Sequence, residues 1–292
     1  MDRRFVARAW RSLRGSRGWI ARMCLLALVS FVPVFGGIVV LGYLYGWARE
    51  AAWGLEKSLP RRVFGNEDGL LYRRGWFAFV ISVVETSVSG LAAFALFSVL
   101  VSISGFAASF VALTPGMAFA TIMAFLALAV VLAAAACVVQ LFVWTGTMRM
   151  SLYDTLSSGF QLRRCASMLK HDAPGIARIL LMWVVAGLAA GLIVGMLWCV
   201  VAFVCVLAMA VAADAGSMVS YGGLAVLGSV ATLVFACSLA YLSVVASVTI
   251  EAVTCRALGY WTAQFDVARW GSQGDPMPFE LMEGSAQHGP SR

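Results

Sequence analysis

Long apolar runs alternate along this chain with short basic stretches. Predominantly apolar runs cover 19–53, interrupted near Pro33, then 76–105, 117–146, 176–213 and 221–251, with the few charges mostly near their ends. Apart from Glu85, no charged side chain occurs between Arg74 and Arg149. That stretch far exceeds the roughly 20 residues a helix needs to cross hydrocarbon, so it must hold at least two spans. Lipid offers the backbone no outside hydrogen-bond partner, and no run alternates with the period of two that a barrel requires. The runs therefore predict α-helices.

The positions of Lys and Arg order these helices. Seven precede the first run (Arg3, Arg4, Arg8, Arg11, Arg14, Arg17, Arg22), and six separate it from the second (Arg49, Lys57, Arg61, Arg62, Arg73, Arg74). Five lie between the third and fourth runs (Arg149, Arg163, Arg164, Lys170, Arg178), and three follow the last (Arg256, Arg269, Arg292). The connections at 106–116 and 214–220 contain none, which marks them as the outer side under the positive-inside rule. All basic regions share the inner side only if the first run enters and leaves by one face. The expected fold is thus all-α and polytopic, a membrane helical bundle of about six segments (19–32, 36–53, 76–105, 117–146, 176–213 and 221–251) arranged as three hairpins. Both termini are expected on the cytoplasmic side of an inner (plasma) membrane.

The first hairpin bends at 32–37, where Pro33 removes a helix donor and Gly36 and Gly37 permit a tight reversal. Its first arm, about 14 residues at 1.5 Å each, reaches only about 21 Å, so this hairpin is short or re-entrant. A single kinked helix that breaks the charge rule is the alternative.

Composition agrees with the pattern. Of 292 residues, 62% are apolar and 12% charged, against about 25% charged in a soluble domain. The net charge of +7 lies beside apolar runs rather than on a soluble basic face, so anionic lipid headgroups are the expected partner and nucleic acid is not. Seven cysteines without a C-x-x-C pair read as small packing residues, and no metal or cofactor is implied. The arginine-rich start resembles a secretory signal, but 23–48 is too long for an h-region and lacks a small-residue cleavage site, so it is expected to be retained.

Two surface helices are expected. Within 1–18, Phe5, Val6, Ala9, Trp10 and Leu13 share one face and Arg4, Arg8 and Arg11 another, the pattern of a helix in the headgroup plane. A second covers 152–170, with Leu152, Leu156 and Phe160 four residues apart and Arg163, Arg164 and Lys170 beyond. Each leads into the membrane through the same tripeptide, Ile20-Ala21-Arg22 and Ile176-Ala177-Arg178. The exits match too: Gly42-Tyr43 to Trp53-Gly54 parallels Gly259-Tyr260 to Trp270-Gly271, with five of thirteen positions identical. This suggests one module used twice in parallel orientation, an arrangement also found in transporters.

The proline-containing first run into Gly42-Tyr43, then Leu59-Pro60, Gly75, Gly159-Phe160 and Gly259-Tyr260, together resemble a family of prokaryotic polytopic membrane proteins, domain of unknown function four-zero-one-three. The resemblance covers nearly the whole chain. It implies a membrane fold but no reaction, substrate or catalytic residue. After Leu59-Pro60 the family pattern calls for an aromatic and acidic residues, whereas here Arg61-Arg62 precede Phe64 and the acids are delayed to Glu67 and Asp68.

Glu85 is the outstanding intramembrane residue, because an acid in hydrocarbon costs about 2.5–3.5 kcal/mol. It lies 11 residues from Arg74 and Gln140 lies 9 from Arg149, about 16 and 13 Å along their helices, so the two could meet. Glu85 reads either as a protonatable or cation-binding group, with Ser82 or Ser89 nearby, or as a neutral acid gluing helices through Gln140. Gly187, Gly191 and Gly195 repeat every four residues and predict close helix packing, within the chain or against a second copy, with a lipid or ligand groove as the minor alternative.

His171 and His288 are the only histidines, and no G-x-S-x-G, metal-ligand or phosphate-loop spacing occurs, so no catalytic residue is assigned. His171-Asp172 reads as a solvated helix end. The tail at 271–292 is expected to be disordered and cytoplasmic. The leading functional reading is a non-enzymatic scaffold or accessory protein, able to form homo- or hetero-oligomers. The alternatives are a small-solute or ion permease and a membrane-embedded lipid-modifying enzyme.

Overall fold

The computed structural model describes residues 4–65, 69–110, 115–214 and 221–281. These are helical without a strand: α1 (Phe5–Arg14), α2 (Trp19–Ser30), α3 (Phe35–Ala52), α4 (Leu71–Phe110), α5 (Pro115–Tyr153), α6 (Leu156–Gly159), α7 (Leu162–His171), α8 (Ala173–Asp214) and α9 (Tyr221–Ala263), then a 3-10 turn at Val267–Arg269. Four helices, α4, α5, α8 and α9, contain stretches long and apolar enough to cross a membrane. This is a polytopic helical membrane protein.

The molecule has two tiers. At the basic ends of the long helices lies a compact base, built from α1–α3, the 55–65 loop, α6, α7, residues 265–281 and the adjoining turns of α4, α5, α8 and α9. Above it α4 pairs with α5 and α8 with α9. In these arms large apolar side chains such as Leu91, Phe94, Leu188, Leu192 and Phe203 are exposed. At most 11% of the most apolar stretch of any spanning helix is buried.

Each long helix continues further into the base than the uncharged run predicts. α4 starts at Leu71, α5 ends at Tyr153 and α9 at Ala263, so Arg74, Arg149, Glu251 and Arg256 are helical and lie inside the protein. Charge marked the end of an apolar run in the sequence, but here the helices carry those charges on into packed protein.

The first run is a short hairpin with its bend at the expected place. α2 has 12 residues and α3 18, about 18 and 27 Å. Gly37 lies against the ring of Phe79, whereas α4 runs on to Phe110, about 46 Å further. On the other side Phe31 stacks on Tyr241, whose hydroxyl donates to the Cys24 carbonyl at 3.0 Å. The reversal is made by Val34, at φ +62°, with the Phe35 N–H donating to the Pro33 carbonyl at 2.6 Å, a γ-turn. Gly36 serves a different need: a Cβ there would lie 2.2 Å from the Val29 carbonyl oxygen, so only glycine lets the two arms close.

α3 is buried over most of its length between α4 and α9. Glycines set these approaches. A Cβ on Gly42 would meet the Leu71 carbonyl at 2.2 Å, one on Gly75 the Ile38 carbonyl at 2.0 Å, and one on Gly259 the Ala48 carbonyl at 2.2 Å. Gly187, Gly191 and Gly195 differ, since nothing among the described residues lies within 4 Å of their Cβ positions. The close packing expected of them within the chain is absent there.

Both surface helices also differ from expectation. α1 turns Phe5, Ala9 and Leu13 into the protein, mainly against α9, so much of its apolar stripe meets protein rather than lipid. Trp10 stays exposed, edge-on to Trp19. The 152–170 segment is not one helix: Asp154, at φ +54°, ends α5, and Phe160 separates α6 from α7. Cys165 and Met168 of α7 are buried, and burial pushes the Cys165 thiol up to about 11.

Gly75→Ala or Gly259→Ala should force two backbones apart and cost about 1–3 kcal/mol, read as a lower aggregation temperature in detergent. Gly187→Ala and Gly191→Ala should leave that temperature unchanged.

Candidate functional site

The base is organised around three buried arginines that the sequence reading treated only as orientation marks. Arg74, Arg149 and Arg256 are each at most 1% exposed. A guanidinium removed from water needs acceptors, and the chain supplies them from backbone around Arg256 and largely from side chains around Arg74 and Arg149.

Arg256 of α9 donates to the Trp47 carbonyl at 2.6 Å, the Lys57 carbonyl at 3.1 Å and the Leu55 carbonyl at 3.3 Å. It also stacks between the rings of Trp47 and Tyr260, at 4.7 and 5.0 Å. One side chain thereby fastens the last helix to the end of α3 and to the loop beyond it. The rest of that loop is held in the same manner. Trp47 Nε1 donates to the Lys57 carbonyl, Arg22 to the Leu59 carbonyl and the Tyr43 hydroxyl to the Pro60 carbonyl, while the Leu59 N–H donates to Ser16 Oγ. Loop carbonyls that would otherwise be orphaned against apolar surface are satisfied by named side chains.

Asp154 gathers the second set. Its carboxylate faces Arg49 at 3.2 Å and Arg74 at 3.6 Å, and its carbonyl accepts from Arg73. This ties the α5 terminus to α3 and α4. Arg149 forms the third node, donating to Gln161 Oε1 at 2.8 Å and the Gln273 carbonyl at 3.4 Å, with the stacked rings of Tyr153 and Trp270 beside it.

The segment after α9 is ordered by these contacts, so the expected disorder of 271–292 does not hold over 271–281. Met277 and Phe279 are buried, His171 stacks on Phe279 with centroids 4.5 Å apart, and Arg164 pairs with Glu280. Gln273 Oε1 accepts from Thr155 and Ser157. Residues 282–292, including His288, lie outside the described residues, as do Glu67, Asp68, and positions 111–114 and 215–220 of the two outer connections. The Asp172 carboxylate, read as part of a solvated helix end, is buried. Its Oδ1 accepts from the Gly175 N–H at 3.2 Å, capping α8, and Oδ2 accepts from Gln264 at 2.8 Å.

A polar cluster lies where α3, α5, α8 and α9 converge. Glu251 accepts from the Cys255 thiol at 3.6 Å, with Trp183 alongside, and Tyr45 reaches toward Thr147, Cys255 and Glu251. Glu251 was missed because it closes an uncharged run in the sequence, whereas α9 continues 12 residues past it. The signal that was available is the resumption of apolar residues after it, Ala252-Val253-Thr254-Cys255. Glu85 stands apart: both carboxyl oxygens are shielded and accept no hydrogen bond, so the bond to Gln140 is not formed. Cys165 is among its electrostatic neighbours. Among the described residues, no group of three or more His, Cys, Asp or Glu could hold a metal ion.

The other interfacial candidates divide. Arg8 is committed to Glu56 and lies over Tyr260 at 4.4 Å, and Arg164 is committed to Glu280. Arg163 is exposed, while Arg4 and Arg11 line a basic cavity. Gly42, Tyr43, Gly259 and Tyr260 of the matched exits are packed in the base. Their closing pairs diverge: Trp53 is exposed, whereas Trp270 packs on Tyr153; Gly54 takes φ +75°, and a Cβ on Gly271 would meet Asp275.

The family described as "Protein of unknown function (DUF4013)" matches residues 25–199, and the chain belongs to that family. Gly42-Tyr43, Leu59-Pro60, Gly75 and Gly159-Phe160 fall within the match, and Gly259-Tyr260 lies beyond it. No curated protein and no solved structure matches the chain.

Glu280 carries a pH dependence. Burial raises its pKa, but donation from Ser167 and the Met277 N–H together with the charge of Arg164 outweighs this and leaves it below the ordinary 4.5. Its contribution to holding 272–281 is therefore complete above 4.5 and fades as pH falls through the lowered value. Hydrogen exchange in that segment, corrected for intrinsic rate, should rise on acidification to about pH 3. Glu280→Gln should show the faster exchange at neutral pH.

Proposed function

We propose that this member of the DUF4013 family is a non-enzymatic scaffold or accessory protein of the inner (plasma) membrane, with both termini on the cytoplasmic side. The observation that supports this most is the contrast between the tiers. The base consumes its buried cations in fastening helices together, while the arms present apolar surface over nearly all their area. A side-chain-free stripe at Gly187, Gly191 and Gly195 offers close approach to another membrane helix, from a second copy or a different protein. Such a molecule holds a rigid cytoplasmic-side platform on helices open to lateral contact.

Orientation follows from charge. The cationic base belongs on the cytoplasmic side, and α2–α3, with its tip beside Phe79, is a re-entrant hairpin entering from that side. The shared surface-helix, hairpin and Gly-Tyr exit pattern makes α1–α3 and α7–α9 two versions of one module, the first with a truncated hairpin.

A permease is the second reading, favoured by the two acids Glu85 and Glu251 placed within spanning helices. The scaffold reading predicts that Glu85→Gln leaves the host phenotype intact and that vesicles carrying the protein show no pH-dependent uptake. Uptake abolished by that substitution would instead establish the permease.

Topology is tested separately. A cysteine at position 58, replacing Ser58, should react with an impermeant maleimide only after the cells are opened. Labelling of intact cells would place the base outside.

A further inference from the structure

The 55–59 loop, pinned through its backbone, separates two cavities at the edge of the base. One, of about 590 Å³, lies between α1, the loop and the end of α9, and among the described residues Arg4, Arg8, Arg11 and Lys57 line it with one acid, Glu56. The other, of about 820 Å³, lies between the end of α3 and the chain beyond Pro60, with Arg49, Arg61, Arg62 and Lys57 against Glu50. Both fall in the size range of small-ligand sites, roughly 300–1,000 Å³.

Charge balance is one-sided in each. Glu56 pairs with Arg8, and Glu50 with Lys57 at 3.3 Å, so each acid offsets one lining cation and the described cations still outnumber the described acids. Arg49 is shared with Asp154, which leaves the cationic excess of the second cavity to Arg61 and Arg62, both exposed. Neutral donors complete the lining: Ser12, Ser58, Tyr260 and Gln264 in the first, Ser58 and Trp53 in the second. Lys57 and Ser58 line both. The Lys57 carbonyl is held by Trp47 and Arg256, so this shared residue has a fixed backbone from which to reach either side.

Cations in excess over acids, hydroxyl and amide donors, and a rigid loop between them match one ligand chemistry. We propose that these two cavities bind phosphate-ester anions, one on each side of the 55–59 loop. Such a ligand comes either from the headgroup of an anionic lipid or from a soluble phosphorylated molecule, and the proposal does not rest on the scaffold reading.

The test is native mass spectrometry of the delipidated full-length protein in detergent. It is titrated separately with phosphatidylglycerol, phosphatidylcholine and inorganic pyrophosphate. Wild type is compared with Arg4→Gln/Arg11→Gln and with Arg61→Gln/Arg62→Gln. Each pair leaves the Arg256 fastening untouched, and unchanged melting temperatures confirm folding. Preferential retention of phosphatidylglycerol, weakened about 25-fold by a double substitution and insensitive to pyrophosphate, assigns a lipid headgroup. Displacement of lipid by pyrophosphate, with the same loss in the variants, assigns a soluble phosphate ester. Equal retention of the two lipids with no pyrophosphate binding overturns the proposal, as does anion binding that both folded variants keep at wild-type strength.

Discussion

A guanidinium enclosed by protein must be met by acceptors, and that requirement explains why the base of this molecule is compact. Arg256 reaches three carbonyls, one inside α3 and two in the loop beyond it, and it does so from the far end of the chain. Removing one partner of such a buried cation is costly, about 3–5 kcal/mol where comparable pairs have been broken. Lysine cannot substitute, since a single ammonium lacks the planar fork that engages several carbonyls while stacking on Trp47 and Tyr260. Asp154 and Arg149 extend the same logic to α4, α5 and the segment after α9.

Glycine makes these fastenings reachable. Gly42 and Gly75 bring α3 onto α4, and Gly259 brings α9 onto α3, each so close that a methyl group would collide with a carbonyl. The short motifs by which the chain resembles its family are largely residues of this assembly: Tyr43 bonds Pro60, Leu59 is buried, and Gly146 and Gly159 are in mutual contact. The motif residues build a platform.

The two tiers have different physics. In the base, burial and hydrogen bonding hold a unique arrangement. In the arms, lipid is as apolar as leucine, so helices gain little by packing unless small or polar residues draw them together. The glycine stripe on α8, the obvious packing signal in the sequence, nevertheless faces nothing within the described chain and is left for a second protein, while glycines with no such period make the closest contacts.

The membrane class, the helical nature of the runs and the bend at 32–37 were legible in the residues alone. Those properties depend on transfer of apolar and charged groups between water and lipid, which each segment feels independently of its neighbours. Only the tertiary structure decided that α1 packs on α9, that 271–281 is fastened by Arg149 and Arg164, that the α2–α3 tip stops beside Phe79, and that Arg74, Arg149 and Arg256 are internal ties. A charged residue next to an apolar run reads the same whether water or a distant carbonyl receives it, and chain folding alone brings Leu55 to Arg256 across 201 positions.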